Sequence, residues 1–94
     1  ISTFSLEQNY PNPFNPSTQI KYSLLSNSNI KITIFNALGE TVREIANEVQ
    51  LSGIHIINFN ASGLSSGVYL YSIQANPTNG SQGFRATKKM ILMK

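Results

Sequence analysis

Apolar and polar positions alternate along most of this chain. From Ile30 to Phe35, Ile30, Ile32 and Ile34 alternate with Lys31, Thr33 and Phe35, a period that turns one side of a β-strand toward a core. Upstream, Ile20, Tyr22 and Leu24 share one face of the run Thr18 to Leu24, and SNSN at 26–29 is a cluster of turn formers. These two runs are expected to pair as an antiparallel hairpin. NALGE at 36–40 ends the second run, with Gly39 free to adopt the positive φ of a tight turn.

The next segment carries two signals. Val42, Ile45, Ala46 and Val49 fall at helical spacing, and Thr41 with Glu44 resembles a capping box. The turn before it and the short span to Gly53 favour a strand over 41–46 followed by a loop. IHIINF at 54–59 is strand-like, with His55, Ile57 and Phe59 on the inner face and Ile54 and Ile56 outward. LSSG at 64–67 is a turn leading into VYLYSIQA at 68–75, where Tyr69, Tyr71 and Ile73 share a face. NPTNG at 76–80 is a hairpin loop before a last strand from about Gly83 to Met93. Short strands between Gly, Pro and Asn turns predict an all-β, antiparallel β-sandwich. Near the start, NYPNPFNPST at 9–18 is a stiff, nonhelical connection from a first strand, and Phe14 with Tyr10 is expected to cap one end of the core.

Composition narrows the chemistry. The 94 residues suffice for one domain, with 40% apolar and 12% charged residues and a net charge of +3. The cations are too dispersed for a surface that tracks nucleic-acid phosphates. No run approaches the roughly 20 apolar residues of a membrane helix, and membrane insertion is not expected. Cysteine and aspartate are absent, and the sole histidine, His55, sits between isoleucines in a strand. That leaves no ligand set for zinc or calcium, no catalytic triad and no expected cofactor. Glu40, Glu44 and Glu48 lie close together on a solvent-facing segment, unlike a glycosidase pair across a cleft. Asn60-Ala61-Ser62 and Asn79-Gly80-Ser81 match the glycosylation pattern but are expected to be turns. Tyr10, Phe14, Tyr22, Tyr69 and Tyr71 could stack on sugars, although aromatic residues on strands mostly serve packing.

Four segments in order, LEQNYPNPFNPSTQIKYSL, IKITIFNALGETVREI, GLSSGVYLYSIQA and KKMILMK, resemble the C-terminal sorting domain of the type IX secretion system of Bacteroidetes. The resemblance implies an immunoglobulin-like sandwich of about seven strands. It also implies that residues 1–94 form a single, non-catalytic sorting domain at the C-terminus of a larger secreted protein. The expected partners are the outer-membrane translocon, its shuttle or sortase-like components and an N-terminal cargo domain. The expected route runs through the periplasm to the cell surface or the medium, with cleavage of the domain in many relatives. The family's motifs fall on Pro11, Asn12, Pro13 and Asn15, on Gly67 and Tyr69, and on Lys88, Lys89 and Lys94. Met90 to Met93, flanked by lysines, would suit a last strand whose edge pairs with a receptor. Outward-facing Ile54 and Ile56 would suit docking against the cargo. The alternative is an immunoglobulin-like accessory or carbohydrate-binding module attached to a hydrolase.

Overall fold

A computed structural model describes residues 3–94. The alternating runs become seven strands, β1 Ser5–Leu6, β2 Ser17–Leu24, β3 Ser28–Asn36, β4 Thr41–Gln50, β5 Gly53–Asn60, β6 Gly67–Pro77 and β7 Phe84–Leu92. They form two antiparallel sheets, one ordered β1-β2-β5 and the other β4-β3-β6-β7. The fold is the all-β, immunoglobulin-like antiparallel sandwich expected from the sequence.

The core lies where the inner faces meet. Ile20, Tyr22 and Leu24 from β2 and Phe59 from β5 oppose Ile30, Ile32 and Ile34 from β3, Tyr69, Tyr71 and Ile73 from β6, and Met90 and Leu92 from β7. His55 stacks on Tyr22 with ring centroids 5.4 Å apart, and its Nε2 lies 2.7 Å from the Leu51 carbonyl oxygen. Burial raises the Tyr22 pKa, against a hydrogen bond to Gln50 that lowers it, while the nearby Glu48 carboxylate raises it further. Asn60 Oδ1 accepts the Ser62 N–H and Asn79 Oδ1 the Ser81 N–H, so both glycosylation-like triplets are side-chain-capped turns.

Two local expectations give way. β2 and β3 do not form a hairpin; they lie in different sheets and face each other across the core. Alternation shows which side of a strand is apolar but not which strand lies beside it. Here β3 is flanked by β4 and β6, and β2 by β1 and β5. β4 also continues as strand to Gln50 instead of ending near Ala46. Its helix-like spacing has a cause in the register: Ile32 pairs Ala46 and Thr33 pairs Glu44, while Ile34 pairs Arg43 and Phe35 pairs Thr41. Ile45 and Val42 are therefore extra residues in two β-bulges, which let Val42, Ile45 and Ala46 all pack against the core.

The N-terminal segment serves both sheets. β1 pairs with β2, with Ser5 opposite Ser23. After the proline-rich stretch, Phe14 pairs with Leu92 of β7 in parallel. Between these points the segment is held by Tyr71, whose side chain is fully buried. The Tyr71 hydroxyl accepts the Asn9 N–H at 2.8 Å and donates to the Glu7 carbonyl at 2.7 Å. Asn9 is itself buried, and its Nδ2 donates to Thr18 Oγ1 at 3.0 Å and to the Pro11 carbonyl at 3.1 Å.

Burial pushes the Tyr71 hydroxyl from its ordinary pKa of 10 up to about 12, outweighing the opposing hydrogen bond from Asn9. The folded state thus favours the neutral phenol. Stability is therefore unaffected by this group below pH 10 and falls as pH rises from 10 toward 12, where the unfolded chain ionises and the folded one does not. Tyr71→Phe leaves the Asn9 N–H and the Glu7 carbonyl without this partner and should cost about 2 kcal/mol at neutral pH. It should also flatten stability loss between pH 10 and 12; urea unfolding at stepped pH measures both effects.

Candidate functional site

The three motif groups, far apart in sequence, meet at one end of the sandwich. There the Asn12 Oδ1 accepts the Ile91 N–H at 2.9 Å. Phe14 donates its N–H to the Ile91 carbonyl and accepts the Met93 N–H, each at 3.0 Å. Gly67 sits opposite Leu92 and Tyr69 opposite Met90 in the β6–β7 register. The Tyr69 hydroxyl donates to the Ser65 carbonyl at 2.7 Å, and Ser66 Oγ accepts the Lys94 N–H at 3.0 Å. The proline-rich stretch, the start of β6 and the C-terminal strand therefore form one connected structure.

Within it the motif residues differ in role. Pro11, Asn12, Pro13 and Asn15 are exposed, while Phe14 between them is 2% exposed and packs near Phe59. The Pro11 carbonyl accepts the Thr18 hydroxyl at 2.8 Å. Gly67 has φ of 153°, and an added Cβ would meet nothing within 4 Å, so backbone conformation and not space selects glycine. Lys88 and Lys89 do not form one patch, because β7 alternates: Lys88 is half-buried on the inner side and Lys89 is exposed on the outer. Lys94 is exposed just past the strand.

The expectation of an accessible edge at Met90 to Met93 is corrected by this geometry. The outward-pointing backbone groups there are already paired to Asn12 and Phe14, and Gln8 Nε2 donates to the Lys89 carbonyl at 2.7 Å. An uncovered strand edge of apolar residues invites unwanted pairing, and the proline-rich stretch covers it.

The family of secretion system C-terminal sorting domains matches residues 8–92, almost the whole of the chain. The chain belongs to that family. Its members are sorting signals of the type IX secretion system, and the role that goes with membership is export across the outer membrane to the surface or the medium. A search of curated proteins returns no match.

Other candidate residues of the sorting domain fall into place around this end. Tyr10 does not cap the core; it is 80% exposed and makes a bridge to Gln19 instead. Phe14, Tyr22, Tyr69 and Tyr71 are buried, so of the five rings considered for sugar stacking only Tyr10 is open to solvent. Ile54 and Ile56 face outward as expected, 58% and 57% exposed. Among the described residues no group of three or more His, Asp or Glu could hold a metal ion.

Two contributors escape the sequence reading. Asn9 organises the crossing between the sheets, and its only sequence signal is its place beside the proline motif. Arg43 donates to the Asn60 carbonyl at 2.8 Å and the Ser62 carbonyl at 3.1 Å, with its guanidinium 5.8 Å from the Phe59 ring centroid. This side chain ties β4 to the end of β5 across the open side of the sandwich, a task that the bulges of β4 hide from any simple alternation.

Asn12 acts here through a single acceptor oxygen. Asn12→Ala should lower stability by about 1 kcal/mol, whereas Asn12→Asp keeps the acceptor and should stay within a few tenths of the parent. Gly67→Ala should cost about 1 kcal/mol or more from backbone strain alone. Chemical denaturation of the three variants side by side checks the set.

Proposed function

We propose that this domain stands at the C-terminal end of a larger exported protein and is its non-catalytic address, delivered through the periplasm to the outer-membrane translocon of the type IX secretion system. The observation that carries the reading is the convergence of Asn12, Phe14, Gly67, Tyr69 and residues 90–94 at one end. In this reading the machinery, including shuttle or sortase-like components, recognises that end as a folded shape. Pro11, Asn12, Pro13, Gly67 and Tyr69 maintain the shape, Asn15 is exposed beside it without being contacted, and Lys89 and Lys94 are the exposed groups available for contact. A sortase-like step then separates domain from cargo. The cargo lies toward the opposite end, where the Thr3 carbonyl accepts from Ser23 Oγ and Ser23 pairs with outward-facing Ile54.

The test fuses residues 1–94 to a periplasmic reporter in a host that carries the secretion system. The fusion should reach the medium or the cell surface; retention in the periplasm overturns the reading. Deleting residues 88–94 would also remove Met90 and Leu92 from the core, so point variants are more informative than truncation. Asn12→Ala should reduce export while Asn12→Asp should not, and Asn15→Ala should export as the parent does. Loss of export by a folded Asn15→Ala variant would show that the machinery contacts this side chain directly.

A further inference from the structure

The outer face of the four-stranded sheet is recessed where an open sheet would be flat. A groove of about 400 Å³ runs across it, within the size range of small-ligand sites. Thr33 points into this outer face yet is only 8% exposed, and Ser72 and Gln74 beside it are half-buried. The register sets these groups in rows across the strands, Thr33 with Ser72 and Thr87, and Lys31 with Gln74 and Arg85.

The groove is rich in hydrogen-bonding capacity that the fold leaves unspent. The hydroxyls of Thr33, Ser72 and Thr87, the Gln74 amide and the Arg85 guanidinium have no side-chain hydrogen bond to any described residue, whereas polar side chains elsewhere cap turns or bridge the sheets. Charge is divided in the same direction. Lys31 is paired with Glu44 at 3.6 Å on one side, while Arg85 on β7 has no carboxylate partner among the described residues. Lys89 continues the same outer face of β7 two residues beyond Thr87, roughly 7 Å further along the strand. Phe35 lines the groove as its one aromatic ring.

We propose that this groove binds an acidic oligosaccharide. A sugar acid offers what the groove can use: a carboxylate for Arg85 and Lys89, ring hydroxyls for Ser72, Gln74 and Thr87, and an apolar C–H face for Phe35. The strand spacing of about 4.8 Å lets successive hydroxyls along a short glycan meet successive strands. This site lies on the sheet face, meets the convergent end only at Lys89, and does not depend on the sorting role. It also differs from the aromatic sugar platform considered from the sequence, since Tyr10 lies on the other sheet's side.

The 94-residue protein is titrated at low ionic strength with trigalacturonate, with neutral galactotriose and with hexaglutamate, following backbone amide signals by NMR. Trigalacturonate should bind with a dissociation constant of about 1 mM or tighter and shift the signals of Thr33, Ser72, Gln74 and Thr87. Arg85→Ala should weaken it about tenfold and Gln74→Ala severalfold, while Lys21→Ala on the opposite sheet should leave it unchanged. Hexaglutamate binding as tightly as trigalacturonate would make the surface a docking site for acidic peptide and overturn the proposal. So would equal binding of galactotriose, an equal effect of Lys21→Ala and Arg85→Ala, or no saturable binding up to about 10 mM.

Discussion

The parallel pairing of Phe14 with Leu92 is the contact on which the rest of the architecture depends. It makes the N-terminal segment a member of both sheets, since β1 joins β2 on one side and Phe14 joins β7 on the other. A sandwich whose two layers touch only through side chains can slide or splay. Here a continuous backbone crosses from layer to layer and is fixed midway by the Tyr71 hydroxyl and Asn9. The prolines suit that crossing because they stiffen the chain and remove N–H groups that would otherwise need partners. Among the described residues no side-chain nitrogen or oxygen atom that is wholly shut off from solvent lacks a hydrogen-bond partner, so the crossing leaves no polar cost behind.

The fold was largely legible in the sequence because its information is periodic. Ile30, Ile32 and Ile34, or Tyr69, Tyr71 and Ile73, declare an inner face wherever their strand lies. What periodicity cannot carry is adjacency, and so alternation alone sets the run at Thr18 to Leu24 beside β3 when its neighbours are β1 and β5. Periodicity also fails where a strand gains a residue: the bulges at Ile45 and Val42 convert a period of two into something near a helical repeat. The candidate site was legible only through the recognised motifs. Pro11, Gly67 and Lys94 share no local pattern, and only the long-range register brings them together. Asn9 and Arg43 have no periodic signal at all, because their work is to bond carbonyls and hydroxyls on segments distant in sequence.

The surface divides by location. One end gathers the motif residues, the outer face of the four-stranded sheet gathers hydroxyls, amide and cations, and the outer face of β5 carries Ile54 and Ile56. Among the described residues two ion pairs form, Lys21 with Glu7 and Lys31 with Glu44, both long and solvent-exposed, of a kind that contributes little. Stability instead rests on the apolar core and on hydrogen bonds to backbone. Surface cations are thereby left free for other uses, and salt should affect partner contacts more than folding.

The covered edge of β7 also has a mechanical meaning. The segment leading to Phe14 and the strand leading to Leu92 run in the same direction, and Ser5 and Leu92 lie toward opposite ends of a body 41 Å long. Tension between the two ends therefore pulls the paired segments past each other. The bonds from Ile91 to Asn12 and Phe14, and from Met93 to Phe14, share that load together and do not open one at a time. The segment that identifies the domain by its sequence is thus also its clasp against being drawn out lengthwise.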